Sequence, residues 1–403
     1  MNEIIVQKFG GTSVGSVERI DAVAEIIKKA SQSNRIVVVV SAMGGETNKL
    51  VNLAKNFSDN PDKREFDALV ATGETVSSAL LAMALHSKGL KAKSYSASQI
   101  SMRTTDSFSK AKILDVDAKK ILEVLEEDTI PIITGFQGIT ETGDVTTLGR
   151  GGSDTTAVAI AAQVKAERCD IYTDVDGIYT TDPKIVPNAK KLDSITMEEM
   201  LELAGQGAKV MQTRAVEFAN KYEVPVRVLS SFNEGTGTLI SLKEDTMENA
   251  LVSGIASQKN QVKFTLHGVG DIPGTAFKIL GPISDAEVEV DVIVQNVSVD
   301  GKTDFTFTVS SEDQGTVKKV IQEMNDVEYK ELIVNSDIAK VSLVGVGMRS
   351  QAGVASRAFK ALSEKDVNIQ IICTSEIKIT MVIDESLVDK AVKVLHEEFE
   401  LDK

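Results

Sequence analysis

Residues 4 to 13 read Ile-Ile-Val-Gln-Lys-Phe-Gly-Gly-Thr-Ser, and this run decides the fold. The apolar, β-branched content of residues 4–9 reads as a strand. It passes directly into Gly10-Gly11-Thr12-Ser13. Ile20, Val23, Ala24 and Ile27 then recur at i, i+3, i+4 and i+7, the stripe of an amphipathic helix. Strand, glycine turn and helix open a parallel sheet covered by helices. Glycines let backbone N–H groups approach an anion, a helix N-terminus adds about half a positive charge, and Lys8 adds a full one. A plain tight turn reads the same locally. Neither common nucleotide motif is present: Gly301-Lys302-Thr303 has Asn296 where a phosphate-loop glycine belongs, and no GxGxxG opens a helix.

Outward from this run, strand-like stretches at 36–40, 92–95, 130–134, 169–173 and 226–229 alternate with helix-like stretches at 70–87, 155–164 and 197–204. Gly89 marks the stop of the first of these helices. Residues 139–148 read as a hairpin turning at Thr142-Gly143-Asp144. Three more polar loops sit at strand ends. Ser41-Ala-Met-Gly44-Gly45-Glu-Thr47-Asn48 is one. In Gly149-Arg150-Gly151-Gly152-Ser153-Asp154, Ser153 or Asp154 is the expected N-cap, and Arg150 can fork onto a carboxylate. The third runs from Thr173-Asp174 through Tyr179 to Asp182-Pro183-Lys184, and an acidic surface loop would look similar. Four such loops converging on one sheet edge mark a ligand site.

The polar stretch 233–238 reads as the exit from this first domain. Beyond it the chain repeats itself without a gap at an offset of 79 residues. Gly268, Gly274, Ala276, Ser284, Val288 and Ile293 meet Gly347, Gly353, Ala355, Ser363, Val367 and Ile372. Two copies of a β-α-β-β-α unit are expected, the first with an extra loop at 299–302 before a strand at 304–309.

The chain has 403 residues, with 44 Lys+Arg against 59 Asp+Glu and a net charge of −15. An acidic surface argues against nucleic-acid and anionic-membrane partners. Consecutive apolar runs fall short of the ~20 residues of a membrane helix, and no signal segment is apparent. The chain reads as cytoplasmic. Cys169 and Cys373 read as buried, reduced thiols, and no metal-ligating cysteine spacing exists. None of His86, His267 and His396 is expected to be catalytic.

Lys8–Ser13 (KFGGTS), Gly73-Glu74, Gly149–Ala157 (GRGGSDTTA) and Thr173–Pro183 (TDVDGIYTTDP) together resemble the aspartate kinases of the amino-acid kinase fold, and the doubled C-terminal unit resembles their paired ACT domains. The resemblance spans essentially the whole chain and is closest to the monofunctional bacterial type. It implies a mainly parallel αβα sandwich over residues 1–245 and two ferredoxin-like α+β ACT domains at 246–335 and 336–403. It also implies the reaction ATP + L-aspartate → ADP + 4-phospho-L-aspartate, the entry to lysine, threonine and methionine biosynthesis.

By the same resemblance, Lys8 stabilises the transferring phosphoryl group, and Gly10 and Gly11 offer amides to phosphates. Glu74 holds the substrate ammonium and Arg150 its α-carboxylate, while Ser41, Thr47, Gly151, Gly152 and Ser153 complete the substrate shell. Asp154 orients the site, by way of Mg²⁺ or directly. Thr173, Asp174, Tyr179, Asp182, Lys184 and Lys209 fall at ATP-contacting positions. Lys184 stands where the family usually has Arg, which keeps charge but loses the bidentate fork. Lysine, threonine or both would bind between the ACT units. Asp271, Pro273, Gly274, Gln295 and Asn296 supply the first-copy positions, and Thr374, Ser375 and Glu376 the second; Ala352 replaces the second copy's usual proline. A homodimer or dimer of dimers through the ACT units is implied, and Met247 is the kind of position at which some relatives start a separate regulatory subunit.

A kinase of the same fold acting on glutamate, N-acetylglutamate or a nucleotide monophosphate is one alternative. N-acetylation would remove the need for Glu74. A non-catalytic amino-acid sensor is another, although such a protein has no reason to keep Lys8, Arg150 and Asp154 together.

Overall fold

The computed structural model describes residues 3–208, 210–242, 250–296 and 301–403. Lys209 and Met247, both singled out above, lie outside them. The chain divides into two compact units. One comprises residues 1–179 and 191–247, and the other residues 180–190 and 248–403.

In the first unit the described residues form an eight-stranded sheet. Its order is Ser194–Thr196, Thr238–Ser241, Val226–Ser230, Arg168–Thr173, Ile4–Phe9, Arg35–Val40, Ile130–Thr134, Ala92–Tyr95. From Val226–Ser230 to Ala92–Tyr95 every pairing is parallel, and Thr238–Ser241 runs antiparallel beside Val226–Ser230. Ile36 to Val40 are all buried because helices cover both faces of the sheet. On one face, Ile20, Val23, Ala24 and Ile27 of the helix Val17–Ser31 join Leu81, Ala82 and Leu85 of Thr72–Ser87 in one core.

Three local readings change. The helix expected at 70–87 is present but starts at Thr72, and Val70 instead ends a separate helix, Lys63–Val70, with Ala71 between the two. By length and composition alone, 63–87 is apolar enough to cross a membrane. Its inward side chains pack into the sheet's core, which accounts for that composition. The helix expected from Thr155 starts at Gly152, and its N-cap is Gly151 rather than Ser153 or Asp154. Gly151 has φ 69°, and a Cβ there would stand 1.7 Å from Gln212 Cγ, so only glycine fits. Thr238–Ser241, beyond the stretch read as an exit, still belongs to this sheet. The hairpin is present as Gln137–Ile139 and Val145–Thr147, turning with Gly143 at φ 88°.

The second unit is a six-stranded antiparallel sheet ordered Ile293–Gln295, Lys302–Ser310, Gly254–Gly270, Glu331–Val344, Lys378–Asp384, Ile371–Thr374. Each half is a β-α-β-β-α copy. The helices Thr275–Asp285 and Gln314–Glu323 cover the first half, and Val354–Ser363 and Val388–Glu398 cover the second. Gly274 and Gly353, 79 residues apart, are both helix N-caps with φ 95°. Part of the extra loop at 299–302 lies outside the described residues. Thr180–Lys190 packs within this unit. Val186 is 5 % exposed in the core of the second half, the Thr180 carbonyl accepts from Ile255 N–H at 2.7 Å, and Thr180 Oγ1 lies 3.0 Å from His396 Nε2.

Cys169 is buried and Cys373 is exposed. The expectation of two buried thiols fails at Cys373 because it sits on an edge strand with no cover on one side.

Candidate active site

The sheet's parallel strands end at one edge, and their loops close around a cavity of about 300 Å³. Its walls include Lys8 and Gly11 after the first strand, Ser41 to Gly45 and Thr47 after the second, Phe136 after Ile130–Thr134, Glu74 from Thr72–Ser87, and Gly149 to Asp154. A crevice at the carboxyl ends of strands, where connections diverge to either side of the central strand, is where open α/β sheets bind ligands.

Lys8 and Asp154 form an ion pair at 2.5 Å, each side chain about 10 % exposed. Lys8 projects from a strand buried along its whole length. Asp154 is in the first turn of Gly152–Gln163, where the helix dipole favours a carboxylate. With glycine as the N-cap, Ser153 and Asp154 are not spent on capping and both face the cavity.

Glu74 is 3 % exposed. One oxygen accepts from Ala42 N–H at 3.2 Å, and the other is buried without a hydrogen-bond partner. Burial pushes its carboxyl up to about 7. Such a group invites a cation to complete it. Arg150 stands exposed at the rim. The cavity therefore offers an incomplete carboxylate, a guanidinium and a fixed ammonium, the complement of a zwitterion with a further negative group.

Of the expected residues, the structure brings together Lys8, Gly11, Ser41, Thr47, Glu74, Arg150, Gly151, Gly152, Ser153 and Asp154. Gly10 sits just behind them, and its N–H donates to the Tyr172 carbonyl at 3.1 Å. Of the expected amide pair this leaves Gly11 for an anion. Thr173, Asp174 and Tyr179 lie outside the cavity lining, at the end of the strand beside Lys8. Thr173 Oγ1 donates to Asp174 at 3.1 Å, and the Tyr179 hydroxyl donates to Asp176 at 2.9 Å. Ser231 ties this end to the glycine loop through Ser13 Oγ at 2.8 Å and the Thr173 carbonyl. Asp182 and Lys184 fall in Thr180–Lys190, which packs in the second unit, where Lys184 N–H donates to Asp182 at 2.9 Å. None of the three histidines lines the cavity.

Phe136 is the lining residue that sequence reasoning missed. It holds φ 68°, rare for an aromatic residue, with its N–H on Thr156 Oγ1 and its carbonyl on Leu148 N–H. A Cβ on Gly152 would stand 2.9 Å from its ring. Nothing in the Gly135-Phe136 pair announces this local strain.

At the expected effector positions of the first copy, Gln295 Nε2 donates to Asp271 at 3.4 Å, and the Asn296 carbonyl accepts from Thr303. Pro273 and Gly274 open the helix Thr275–Asp285. In the second copy, Thr374 ends an edge strand, Ser375 N–H donates to the Lys378 carbonyl, and Glu376 pairs with Arg349 at 3.3 Å.

Comparison with known proteins agrees with this geometry. Residues 3–230 match the amino acid kinase family and residues 341–399 match the ACT domain. The chain is 56 % identical to an aspartate kinase of Stutzerimonas stutzeri over 402 residues, covering 99 % of this chain and 98 % of that protein. It is 55 % identical to an aspartokinase of Pseudomonas aeruginosa over 403 residues, with the same coverage. Among solved structures, Escherichia coli aspartokinase III in complex with aspartate and ADP is 28 % identical, with a TM-score of 0.84 over 98 % of this chain and 99 % of that one. The same enzyme in complex with lysine and aspartate gives 29 % and 0.77, again over 98 % and 99 %. The chain belongs to the amino acid kinase family and, within it, to the aspartate kinases.

Proposed function

We propose that the cavity transfers the γ-phosphoryl group of ATP to the β-carboxylate of L-aspartate with the residues in the following roles. Glu74 takes the substrate ammonium on its unpaired oxygen, and Arg150 forks onto the α-carboxylate. Ser41, Thr47 and Ser153 add hydrogen bonds. The β-carboxylate, with an ordinary pKa of ~3.9, is already ionised and needs no general base. Its approach to the γ-phosphoryl group brings two anions together, so the work is positioning and charge neutralisation. Lys8 supplies the charge, and Asp154 fixes the Lys8 ammonium. Gly11 turns its amide toward the phosphates. Thr173, Asp174, Tyr179, Asp182, Lys184 and Lys209 hold the nucleotide.

Mg²⁺ commonly binds through one or two carboxylates together with a nucleotide's own phosphates. Asp154 is the wall carboxylate that fits such an ion, whose charge would offset that of the phosphates. Among the described residues no cluster of three metal-ligating side chains exists.

The observation that carries this reading is the buried, unpartnered Glu74 oxygen in the same cavity as Arg150 and the Lys8–Asp154 pair. An ADP-release assay with aspartate, glutamate and N-acetylglutamate tests it, and turnover of N-acetylglutamate in preference to aspartate would overturn it.

Lysine, threonine or both act as effectors at the Asp271, Pro273, Gly274, Gln295 and Asn296 positions and at Thr374, Ser375 and Glu376. For lysine as a ligand of this kind of enzyme, the support is the solved relative in complex with lysine and aspartate. The catalytic domain is taken as 1–245 and the two ACT domains as 246–335 and 336–403. The exposed edge strands suit pairing of ACT units between copies, as a homodimer or dimer of dimers. The protein works in the cytoplasm, and a separate subunit beginning at Met247 would comprise the ACT pair.

A further inference from the structure

Two charged side chains outside the cavity wall bracket the chain that carries Arg150. Asp67, 0 % exposed on the helix Lys63–Val70, accepts four hydrogen bonds. They come from Ser109 N–H at 2.8 Å and Oγ at 3.0 Å, and from Thr147 N–H at 2.7 Å and Oγ1 at 2.9 Å. Arg214, in the first turn of Thr213–Lys221, donates to the carbonyls of Leu148 and Ala111, each at 2.9 Å. Ala111 N–H in turn donates to the Thr147 carbonyl at 3.0 Å. The two side chains thus bridge the same two segments, 109–111 and 147–148. The carboxylate collects donors and the guanidinium supplies them.

The residues that follow are Gly149 and Arg150. Gly149 lies on the anchored segment, because a Cβ there would stand 3.0 Å from the Ser109 carbonyl oxygen. Ser109 itself holds φ 68°, a left-handed conformation that persists in a serine only where its surroundings over-determine it. The double acceptance by Asp67 does so. A hairpin that needed only tying down could use neutral partners, since burying a carboxylate among uncharged donors carries a desolvation cost. The bonds also stop where the Arg150 loop begins. An arginine reads a carboxylate bidentately only if the backbone beneath it is fixed.

We propose that Asp67 and Arg214 are positioning residues for aspartate recognition. They lock residues 147–149 so that Arg150 and the amide of Gly151 meet the substrate carboxylate, the Gly152 N–H being given to the Gly149 carbonyl at 3.0 Å. The proposal rests on the reading of Arg150 as the carboxylate fork. Loss of either residue then acts as loss of Arg150 does, on aspartate binding and not on phosphoryl transfer.

Steady-state kinetics of the full chain test this with Asp67→Asn, Arg214→Gln and Arg214→Lys, each alone and combined with Arg150→Ala. Each single variant is expected to raise the aspartate KM about tenfold, as befits loss of hydrogen bonds to a charged group, with kcat and the ATP KM within about threefold of the parent. Combined with Arg150→Ala, none is expected to add a further increase, because the anchor no longer has an arginine to position. Multiplying KM effects in the double variants, or a fall in kcat at unchanged aspartate KM, would overturn the proposal. Should Asp67→Asn not fold, the two Arg214 variants at a half-buried site decide the same question. An unchanged aspartate KM in Arg150→Ala alone refutes the carboxylate-fork reading instead, and is told apart by that single variant.

Discussion

Lys8 and Asp154 meet at 2.5 Å across the junction of a central strand and the first turn of a buried helix. The pair holds an ammonium at a fixed point where sheet and helix N-terminus converge. An ion pair this sheltered is a poor source of net stability, because desolvation offsets most of its attraction. Its value lies in the position of the charge.

Replacing Lys8 by Ala is therefore expected to lower kcat on the order of 10²–10³-fold, the range for removing one group that stabilises transition-state charge. The aspartate KM is expected to change little. Steady-state kinetics on protein whose fold is verified by circular dichroism give the answer, and a variant altered mainly in KM contradicts the role.

Glu74 gives a pH signature. Burial raises its carboxyl to about 7, so below that pH the free enzyme holds it neutral, while the substrate ammonium needs it ionised. On the acid side of 7, kcat/KM for aspartate is expected to fall about tenfold per pH unit. Glu74→Gln is expected to have low kcat/KM without that limb, and a limb surviving in Glu74→Gln would assign it to another group.

The same group affects stability with the opposite sign to a salt-bridged carboxylate. The folded chain keeps a proton between about 4.5 and 7 that the unfolded chain releases, so its contribution to stability falls as pH rises through that window. Glu74→Gln is expected to stabilise the ligand-free protein at pH 8 by up to about 3 kcal/mol, from 1.36 kcal/mol per pKa unit, and to have little effect near pH 4.5. Denaturant unfolding at the two pH values measures this, and equal effects at both would exclude desolvation of the Glu74 carboxylate as their cause.

For regulation, Asp271→Ala and Gln295→Ala disrupt the bond between the first copy's expected effector residues. Inhibition by lysine or threonine is expected to weaken about tenfold, the worth of a lost hydrogen bond to a charged ligand, with uninhibited kcat unchanged. Inhibition curves that superimpose on those of the parent would move the effector site elsewhere.

The strands, the four polar loops and the duplicated unit were legible in the chain because each rests on local pattern: periodicity, turn glycines and an offset that keeps Gly274 aligned with Gly353. What was not legible rests on pairings between distant residues. Ser153 and Asp154 look like caps until Gly151, pressed against Gln212, takes that place. Asp67 and Arg214 resemble ordinary surface charges of their helices. Their partners lie 42 to 103 residues away and mostly on the backbone, where side-chain identity leaves no trace. Phe136 was missed for a related reason, since its strained φ is imposed by the turn around it.

Thr180–Lys190 changes what it means to cut this chain. A border near residue 246 suggests two parts that could be separated, yet Val186 is buried among the residues of the second half-sheet. Severed at that border, the leading fragment carries a stripped apolar loop with Ile185, Val186 and Ala189 exposed to water. The trailing fragment has a hollow where that loop belonged. A subunit beginning at Met247 would therefore need other cover over the place that Val186 fills here.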